Sequence, residues 1–167
     1  GLIYYQGQYV PRDINKAIYY YSLAANQNHS DAQFNLGAIY FENLYVQRDI
    51  SKSIYYFTQA ANQNDSNAQF NLGQFYFEGI YVARDIPRAL HYFSLAADQN
   101  NLMAQFNLGS IYYEGINVPI DINKSIHYYS LAADQNEPRS LYNLGFIYDE
   151  GVYVSRDFKK AFYYYSL

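Results

Sequence analysis

The chain has 167 residues, of which half are hydrophobic and 16% are charged, a composition typical of a folded globular protein. Its formal net charge of -4 gives no general attraction to nucleic-acid phosphates, and no apolar run approaches the roughly 20 residues of a bilayer-spanning helix. The absence of cysteine excludes disulfides, thiolate metal sites and a cysteine nucleophile. We therefore expect neither nucleic-acid binding nor membrane insertion.

The sequence leaves the cellular compartment open. Residues 1–30 contain no basic region followed by an apolar segment, so no secretory signal is recognisable within them. An upstream signal could have been removed, and a chain without thiols can function in the cytoplasm or in the secretory pathway.

One motif returns at a constant spacing. Ala-Gln-Phe-Asn-Leu-Gly occupies residues 32–37, 68–73 and 104–109, and Ser-Leu-Tyr-Asn-Leu-Gly occupies 140–145, so each copy follows the last by 36 residues. A fixed period in the range of about 20 to 50 residues indicates a solenoid. We predict an all-α superhelix of helix-turn-helix repeats that forms a single solenoid over residues 1–167. About 4.6 repeats fit this length: a partial repeat over 1–31, whole repeats over 32–67, 68–103 and 104–139, and a partial repeat over 140–167.

The first helix of each repeat, helix A, has a predictable start and end. Ser30 and Gln33 have the spacing of a capping box, and Ser66 and Gln69 repeat it, so helix A is predicted to begin at these serines. It should run to about Glu42, because the next residue is of a type that tolerates the left-handed conformation in which helices terminate. These residues are Gly7, Asn43, Gly79, Gly115 and Gly151.

The second helix, helix B, opens at a recurring aspartate whose carboxylate can accept hydrogen bonds from the free amides of the first turn. These residues are Asp13, Asp49, Asp85, Asp121 and Asp157. A recurring asparagine after the Ala-Ala pair suits a second left-handed stop. It is found at Asn28, Asn64, Asn100 and Asn136.

The helical period predicts which faces form the core. One face of helix A carries Ala32, Leu36, Ile39 and Tyr40, and one face of helix B carries Ala17, Tyr20, Tyr21, Ala24 and Ala25. Gly37 in mid-helix costs about 1 kcal/mol of helix propensity relative to alanine, so its recurrence indicates close packing of neighbouring helices.

Each repeat resembles the Sel-one-like repeat of the tetratricopeptide superfamily. That pattern is Ala-x-x-x-Leu-Gly-x-x-Tyr-x-x-Gly, a turn, and then Val-x-x-Asp-x-x-Lys-Ala with an aromatic pair and Ala-Ala. The chain departs from it at the second turn glycine, which is Tyr9, Tyr45, Tyr81, Asn117 or Tyr153, and in the asparagine after Ala-Ala. The resemblance implies a right-handed superhelix and an adaptor or scaffold role. The matching residues are Ala68, Leu72, Gly73, Tyr76, Gly79, Val82, Asp85, Arg88, Ala89, Tyr92, Phe93, Ala96 and Ala97.

The side of helix A opposite its core stripe is the predicted partner-binding face, and in the superfamily that this chain resembles it lines a concave groove. Its aromatic rings can hold apolar side chains, its asparagines can pair with a peptide backbone, and its glutamates favour basic residues. We expect a groove for an extended peptide or protein segment that is basic or neutral. The predicted partner-binding residues are Phe34, Asn35, Phe41, Glu42, Phe70, Asn71, Gln74, Phe77, Glu78, Phe106, Asn107, Tyr113, Glu114, Tyr142, Asn143 and Glu150.

The same columns of residues have a structural interpretation. Closely similar repeats can inherit an asparagine without using it, and recurring aromatic side chains can pack between adjacent A helices. A cation in the first turn of helix B is unfavourable beside the helix dipole, so we expect each to pair with a carboxylate or to pack its stem. These cations are Lys16, Lys52, Arg88, Lys124 and Lys160.

Catalysis is not expected, because the sequence contains no glycine-rich phosphate loop, no nucleophile elbow and no metal-ligand spacing. His91 and His127 share one repeat position with tyrosines, which favours a surface location over a shared metal site. We predict a non-catalytic scaffold or adaptor with no cofactor and no metal. The alternatives are a structural component of a large assembly and a regulatory region of a fused enzyme.

Both terminal repeats are partial, since Gly1 aligns with Gly37 and Leu167 aligns with Leu95. Solenoids need polar capping repeats, and none is recognisable in this sequence. We therefore expect a segment of a longer array, or end-to-end stacking on partners or on further copies of the chain.

Overall fold

The computed structural model describes residues 1–42 and 44–167, which divide into two compact units. The first unit runs from Gly1 to Asp85 and the second from Ile86 to Leu167. Ten α-helices lie in these described residues. They are α1 (Leu2–Gln6), α2 (Ile14–Ala25), α3 (Ser30–Glu42), α4 (Ile50–Asn62), α5 (Ser66–Glu78), α6 (Ile86–Ala97), α7 (Leu102–Glu114), α8 (Ile122–Ala133), α9 (Pro138–Glu150) and α10 (Phe158–Tyr165).

The odd-numbered helices are the A helices and the even-numbered helices are the B helices. From α3 onward each A helix has 13 residues, and the predicted helix from Ser30 to Glu42 is confirmed. Helices that follow one another in the chain pack together, as α3 does with α2 and α4, and as α9 does with α8 and α10. The repeat unit is therefore a pair of helices packed side by side.

Aspartate caps the B helices as predicted. The Asp49 carboxylate accepts a hydrogen bond from the backbone N–H of Lys52 at 2.9 Å, and Asp49 itself has extended backbone dihedrals. This arrangement satisfies an amide that the first helical turn leaves without a partner. The same cap is formed at Asp13, Asp121 and Asp157.

The predicted capping box at Ser66 and Gln69 is wrong. Asp65, one residue earlier, is the cap, and its carboxylate accepts from the backbone N–H of Ala68 at 2.9 Å. Ser66 is the first helical residue, and the side chain of Gln69 is buried. In the second compact unit the corresponding caps are Asn101 and Glu137.

Buried glutamines hold the turn between helix B and the next helix A. The Gln33 amide donates to the Ala25 carbonyl at 3.3 Å and to the side-chain oxygen of Asn28 at 3.2 Å. Its own oxygen accepts from the amide of Gln63, just after the B helix of the same repeat, at 2.5 Å. The glutamine that the sequence suggested for a cap therefore links one repeat to the next.

The left-handed stops are present where they were predicted. Asn28, Asn64, Asn100 and Asn136 have φ between 60° and 68°. Gly79 ends α5 with φ 68°, and its N–H donates to the Phe75 carbonyl. The predicted stop at Asn43 lies outside the described residues. Glycine stops of the same kind are Gly7, Gly115 and Gly151.

The core of the first compact unit follows the predicted stripes, with one exception. Tyr40 is half-buried and packs against the buried cluster. The prediction is wrong for Tyr20, which is 44% exposed and stacks on Tyr4 of α1, at 5.5 Å between centroids, instead of joining the buried cluster. The buried cluster comprises Ala17, Tyr21, Ala25, Ala32, Leu36 and Ile39.

The mid-helix glycine of helix A lies directly under an aromatic ring of helix B. A Cβ atom built at Gly37 would stand 2.7 Å from Cδ1 of Phe57, and one at Gly109 would stand 2.5 Å from Cδ1 of Tyr129. Both rings are fully buried, so they have little room to move aside. Glycine is therefore required here by packing, as its recurrence suggested.

Three of the cations in the first turn of helix B, Lys16, Lys52 and Lys124, are paired with the cap carboxylate, as predicted. Lys52 Nζ lies 3.3 Å from a carboxylate oxygen of Asp49 and 5.0 Å from the ring centroid of Tyr40. The cap carboxylate and the ring compensate for the unfavourable helix dipole. Lys16, Lys124 and Lys160 lie in the same way over Tyr4, Tyr112 and Tyr148.

Gly37→Ala should lower the free energy of unfolding by about 1–2 kcal/mol, because overpacking against Phe57 outweighs the gain in helix propensity. Urea denaturation measures this change. In a Phe57→Leu background the smaller side chain gives way, so the same substitution should cost less. Equal losses in the two backgrounds would contradict the packing explanation.

Stability should fall in acid through the aspartate caps. The backbone N–H groups of Lys16 and Lys52 hold the pKa values of Asp13 and Asp49 below their ordinary value. The unfolded chain, with carboxyl pKa values near about 3.9, therefore binds protons first as the pH falls. The stabilisation that the ionised caps give is fully present above the carboxyl pKa of the unfolded chain. It is lost as the pH falls through the lower pKa values of the folded state. Thermal unfolding followed between about pH 6 and pH 2 should show a smaller drop in Tm for Asp49→Asn than for the original chain, and an unchanged drop would contradict this role.

Candidate functional site

The predicted aromatic column is partly packed in the first compact unit. Phe34 is half-buried, and its ring centroid lies 5.6 Å from that of Phe57. Phe41 is also half-buried and lies 5.0 Å from Phe75 and 5.5 Å from Tyr81. Part of each ring therefore packs against other rings of the chain, as the structural interpretation of this column expects. The remaining surface of each ring is accessible to a partner.

The second compact unit exposes more of the aromatic column. Phe106 packs 5.9 Å from Tyr129, and the guanidinium of Arg139 lies 3.9 Å from the centroid of its ring. Tyr142 is 60% exposed and stacks beside Phe146 at 6.5 Å. The ring of Tyr142 therefore offers a wide aromatic surface. The other predicted aromatic residues are half-buried, and they are Phe70, Phe77 and Tyr113.

The asparagine column is partly engaged with its own helices. The Asn35 amide donates to the Asp31 carbonyl at 2.6 Å, and the Asn71 amide donates to the Asn67 carbonyl at 2.8 Å. An amide held in this way keeps its side-chain oxygen as an acceptor for a peptide N–H. Two further members, Asn107 and Asn143, are half-buried.

The glutamate column lies at the carboxyl ends of the A helices. Glu42 accepts a hydrogen bond from the Tyr5 hydroxyl at 3.1 Å, and Glu78 contacts the amide of Gln74 at 3.5 Å. Four exposed carboxylates in this position give the predicted face a negative character. They belong to Glu42, Glu78, Glu114 and Glu150.

A loop arginine joins each repeat of the first compact unit to the next. Arg48 donates through Nε to the Phe41 carbonyl at 2.7 Å and through Nη1 to the Tyr81 hydroxyl at 2.9 Å. Its guanidinium carbon lies 5.2 Å and 5.3 Å from the centroids of these two rings. Arg12 makes the equivalent contacts with Tyr45, at 2.6 Å to the hydroxyl and 5.3 Å to the ring.

Sequence reasoning missed these arginines. It noted Tyr45 and Tyr81 only as departures from a turn glycine. The available signal was an arginine followed 33 residues later by a tyrosine, at Arg12 and Tyr45 and again at Arg48 and Tyr81. Tyr45 and Tyr81, which replace that glycine, therefore serve as contacts between repeats.

Three pockets include predicted partner-binding residues, one of them beside Tyr142 in the second compact unit. In the first compact unit a pocket of about 460 Å³ is lined by Phe34 and Asn35, with Asp31, Asp65 and Asn67 beside them. In the second compact unit a pocket of about 240 Å³, which we call the Tyr113 pocket, includes the predicted Tyr113 and Glu150. Its lining residues are Tyr113, Phe146, Ile147, Glu150, Val152 and Tyr153.

The described residues, 1–42 and 44–167, contain no group of three or more His, Asp or Glu side chains that could hold a metal ion. His91 and His127 are exposed, and each lies against the tyrosine that follows it, at 5.4 Å and 5.2 Å between ring centroids. Within the same described residues, no helix is long and apolar enough to cross a bilayer.

The paired helices and the constant period define an α-helical repeat protein. Five copies of the Sel1 repeat model match the chain, at residues 1–29, 30–65, 66–101, 102–137 and 138–167. The chain therefore belongs to the Sel1 repeat family, whose repeats form an α-α superhelix. The second to fifth matches begin at the first residue of an A helix.

Several solved structures are similar to the chain. A Sel1 repeat protein from Oxalobacter formigenes is 34% identical with a TM-score of 0.88, covering 99% of this chain and 67% of that one. The protective antigen c5321 of uropathogenic Escherichia coli, which displays an SLR fold, is 28% identical with a TM-score of 0.58, covering 99% and 43%. Helicobacter pylori cysteine rich protein B is 27% identical with a TM-score of 0.61, covering 80% and 96%. None of the curated proteins compared with the chain matches it.

Arg48→Lys should lower the free energy of unfolding by about 1 kcal/mol, because lysine keeps the charge but loses the planar fork that joins Phe41 to Tyr81. Chemical denaturation measures the loss. In a Tyr81→Phe background, which lacks the accepting hydroxyl, the same change should cost less. A stability that Arg48→Lys leaves unaltered would contradict the role assigned to this arginine.

Proposed function

We propose that this chain is a non-catalytic adaptor that binds an extended segment of a partner protein along the exposed face of its A helices. Membership of the Sel1 family supports the proposal, because Sel1 repeats typically mediate protein interactions. The five repeats occupy the whole chain, and no catalytic domain is found in it.

The recurrence of aromatic, amide and acidic side chains on that face carries the proposal. In the first compact unit the half-buried ring of Phe34 and the amide of Asn35 border one pocket. In the second, Tyr113 and Glu150 border another. An extended segment presents backbone amides and side chains at regular intervals, and repeated groups of these three kinds suit it.

Charge restricts the partner further. The exposed carboxylates at the ends of the A helices, among them Glu78, Glu114 and Glu150, favour a basic or neutral segment over an acidic one. Arg139 lies over Phe106 and is paired with Glu137 at 2.7 Å, so it does not reverse this preference. We therefore propose a segment that carries lysine or arginine between apolar residues.

A displayed library of random peptides tests the proposal. Peptides selected on the original chain should be enriched in basic residues, and the double variant Asn71→Ala/Asn107→Ala should bind them roughly ten-fold more weakly through lost backbone hydrogen bonds. Isothermal titration calorimetry with one selected peptide measures the change.

The matched control is Tyr55→Ala/His127→Ala, which likewise truncates one side chain in each compact unit, here an exposed one on a B helix. It should leave the affinity within about two-fold. Unchanged affinity in the asparagine variant, or selection of acidic peptides, would contradict the proposed face. Circular dichroism verifies that both double variants remain helical.

A further inference from the structure

The Tyr113 pocket contains a pair of tyrosines that has a counterpart in the first compact unit, where an arginine of the chain lies against one of the two rings. Tyr113 and Tyr153 stand at the same repeat positions as Tyr5 and Tyr45. Their rings meet edge to face at 6.4 Å and 83°, and those of Tyr5 and Tyr45 meet at 6.2 Å and 86°. The aromatic walls of the two places are thus nearly the same.

The occupant differs between these places. In the first compact unit the guanidinium of Arg12 covers the Tyr45 ring and donates to its hydroxyl. The residue at the corresponding position before Tyr153 is Ile120, which has no side-chain N–H to donate. The Ile120 side chain is 48% exposed and is not one of the residues that line the Tyr113 pocket.

The loop arginines also donate to a backbone carbonyl, and this hydrogen bond has no counterpart at Ile120. Arg48 and Arg84 donate through Nε to the carbonyls of Phe41 and Phe77, seven residues before them. The corresponding carbonyl before Ile120 is that of Tyr113. The isoleucine side chain has no N–H, so it does not make to the Tyr113 carbonyl the hydrogen bond that Arg48 and Arg84 make to those of Phe41 and Phe77.

A carboxylate completes the pocket. Glu150 lines it and is exposed, whereas its counterpart Glu42 accepts a hydrogen bond from the Tyr5 hydroxyl. Burial raises the pKa of Tyr113, and the charges of Tyr153 and Glu150 raise it further, so the carboxylate is close enough to act on the ring hydroxyl. An arriving cation would meet both the ring faces and this negative charge.

We propose that the Tyr113 pocket binds an arginine side chain of a partner protein, in the place that Arg12 and Arg48 take within the chain. A planar guanidinium can stack on a ring and donate sideways to a carbonyl, a hydroxyl and a carboxylate at once, which an ammonium group does less well. The pocket of about 240 Å³, lined by both rings and by Glu150, leaves room for this group beside them. The inference rests on the proposed function for its biological partner, because Tyr113 and Glu150 lie on the predicted face.

The probe is the capped tripeptide acetyl-Gly-Arg-Gly-amide, titrated into the protein and followed by NMR. The signals of the Tyr113 and Tyr153 rings and of the Val152 methyl groups should shift and saturate. The tripeptide with citrulline in place of arginine has nearly the same shape without the charge, and should bind at least about five-fold more weakly. Equal binding of the two tripeptides would overturn the proposal.

Two variants that each add one arginine distinguish filling of the Tyr113 pocket from a change in the net charge of the protein. Ile120→Arg supplies the missing guanidinium within the chain and should abolish binding of the tripeptide. Ile80→Arg adds the same charge to an exposed loop position of the first compact unit and should leave binding intact. Retained binding in Ile120→Arg would overturn the proposal.

The third variant, Glu150→Gln, changes an exposed residue and should weaken binding roughly five-fold by removing the carboxylate. Thermal unfolding verifies the fold of each variant, and Ile120→Arg should have a Tm no lower than that of the original chain. An unaltered affinity in Glu150→Gln would count against the pocket.

The proposed function and this inference fail in different ways. If only the proposed function is wrong, the arginine tripeptide still shifts the pocket signals while the asparagine double variant binds library peptides normally. If only the inference is wrong, the library peptides bind the asparagine double variant more weakly, but Ile120→Arg binds both the library peptides and the tripeptide like the original chain.

Discussion

The contact between the helix-A glycine and the helix-B ring sets the distance between the two helices of a repeat. At Gly37 the missing side chain lets the ring of Phe57 lie against the backbone, which also brings the Ser53 hydroxyl to 2.9 Å from the Gly37 carbonyl. A buried hydroxyl needs such a partner. Because this contact turns one side of helix A toward helix B, it also decides which side remains available to a partner.

Features that depend on neighbouring residues were predictable from the sequence. A cap such as Asp49 and stops such as Asn64 and Gly79 need only the chemistry of one residue and the helix beside it. The pattern of small and large residues also identified the glycine contact. Gln33 was misassigned because a capping box and a buried amide network place glutamine at the same spacing, and only the fold shows Gln63 beside it.

The candidate site was predictable as columns on one helix face, but not as contacts. Periodicity places Phe34, Asn35 and Glu42 on one side of helix A, yet it does not reveal that Phe34 rests on Phe57 or that Glu42 meets Tyr5. The role of the loop arginines was hidden for the same reason. Their partners lie in the next repeat, so their meaning depends on how repeats stack.

The contacts that join one repeat to the next also shape how the chain folds. Arg48 reaches a tyrosine 33 residues away in the next repeat, and Gln33 reaches back 8 residues to the Ala25 carbonyl of the preceding repeat. Each junction between two successive repeats closes a loop of similar length and therefore costs a similar amount of chain entropy. No such junction requires parts of the chain that are far apart in sequence to meet. Folding can begin in any helix pair and spread to its neighbours, and a longer array would add junctions without adding a slower one.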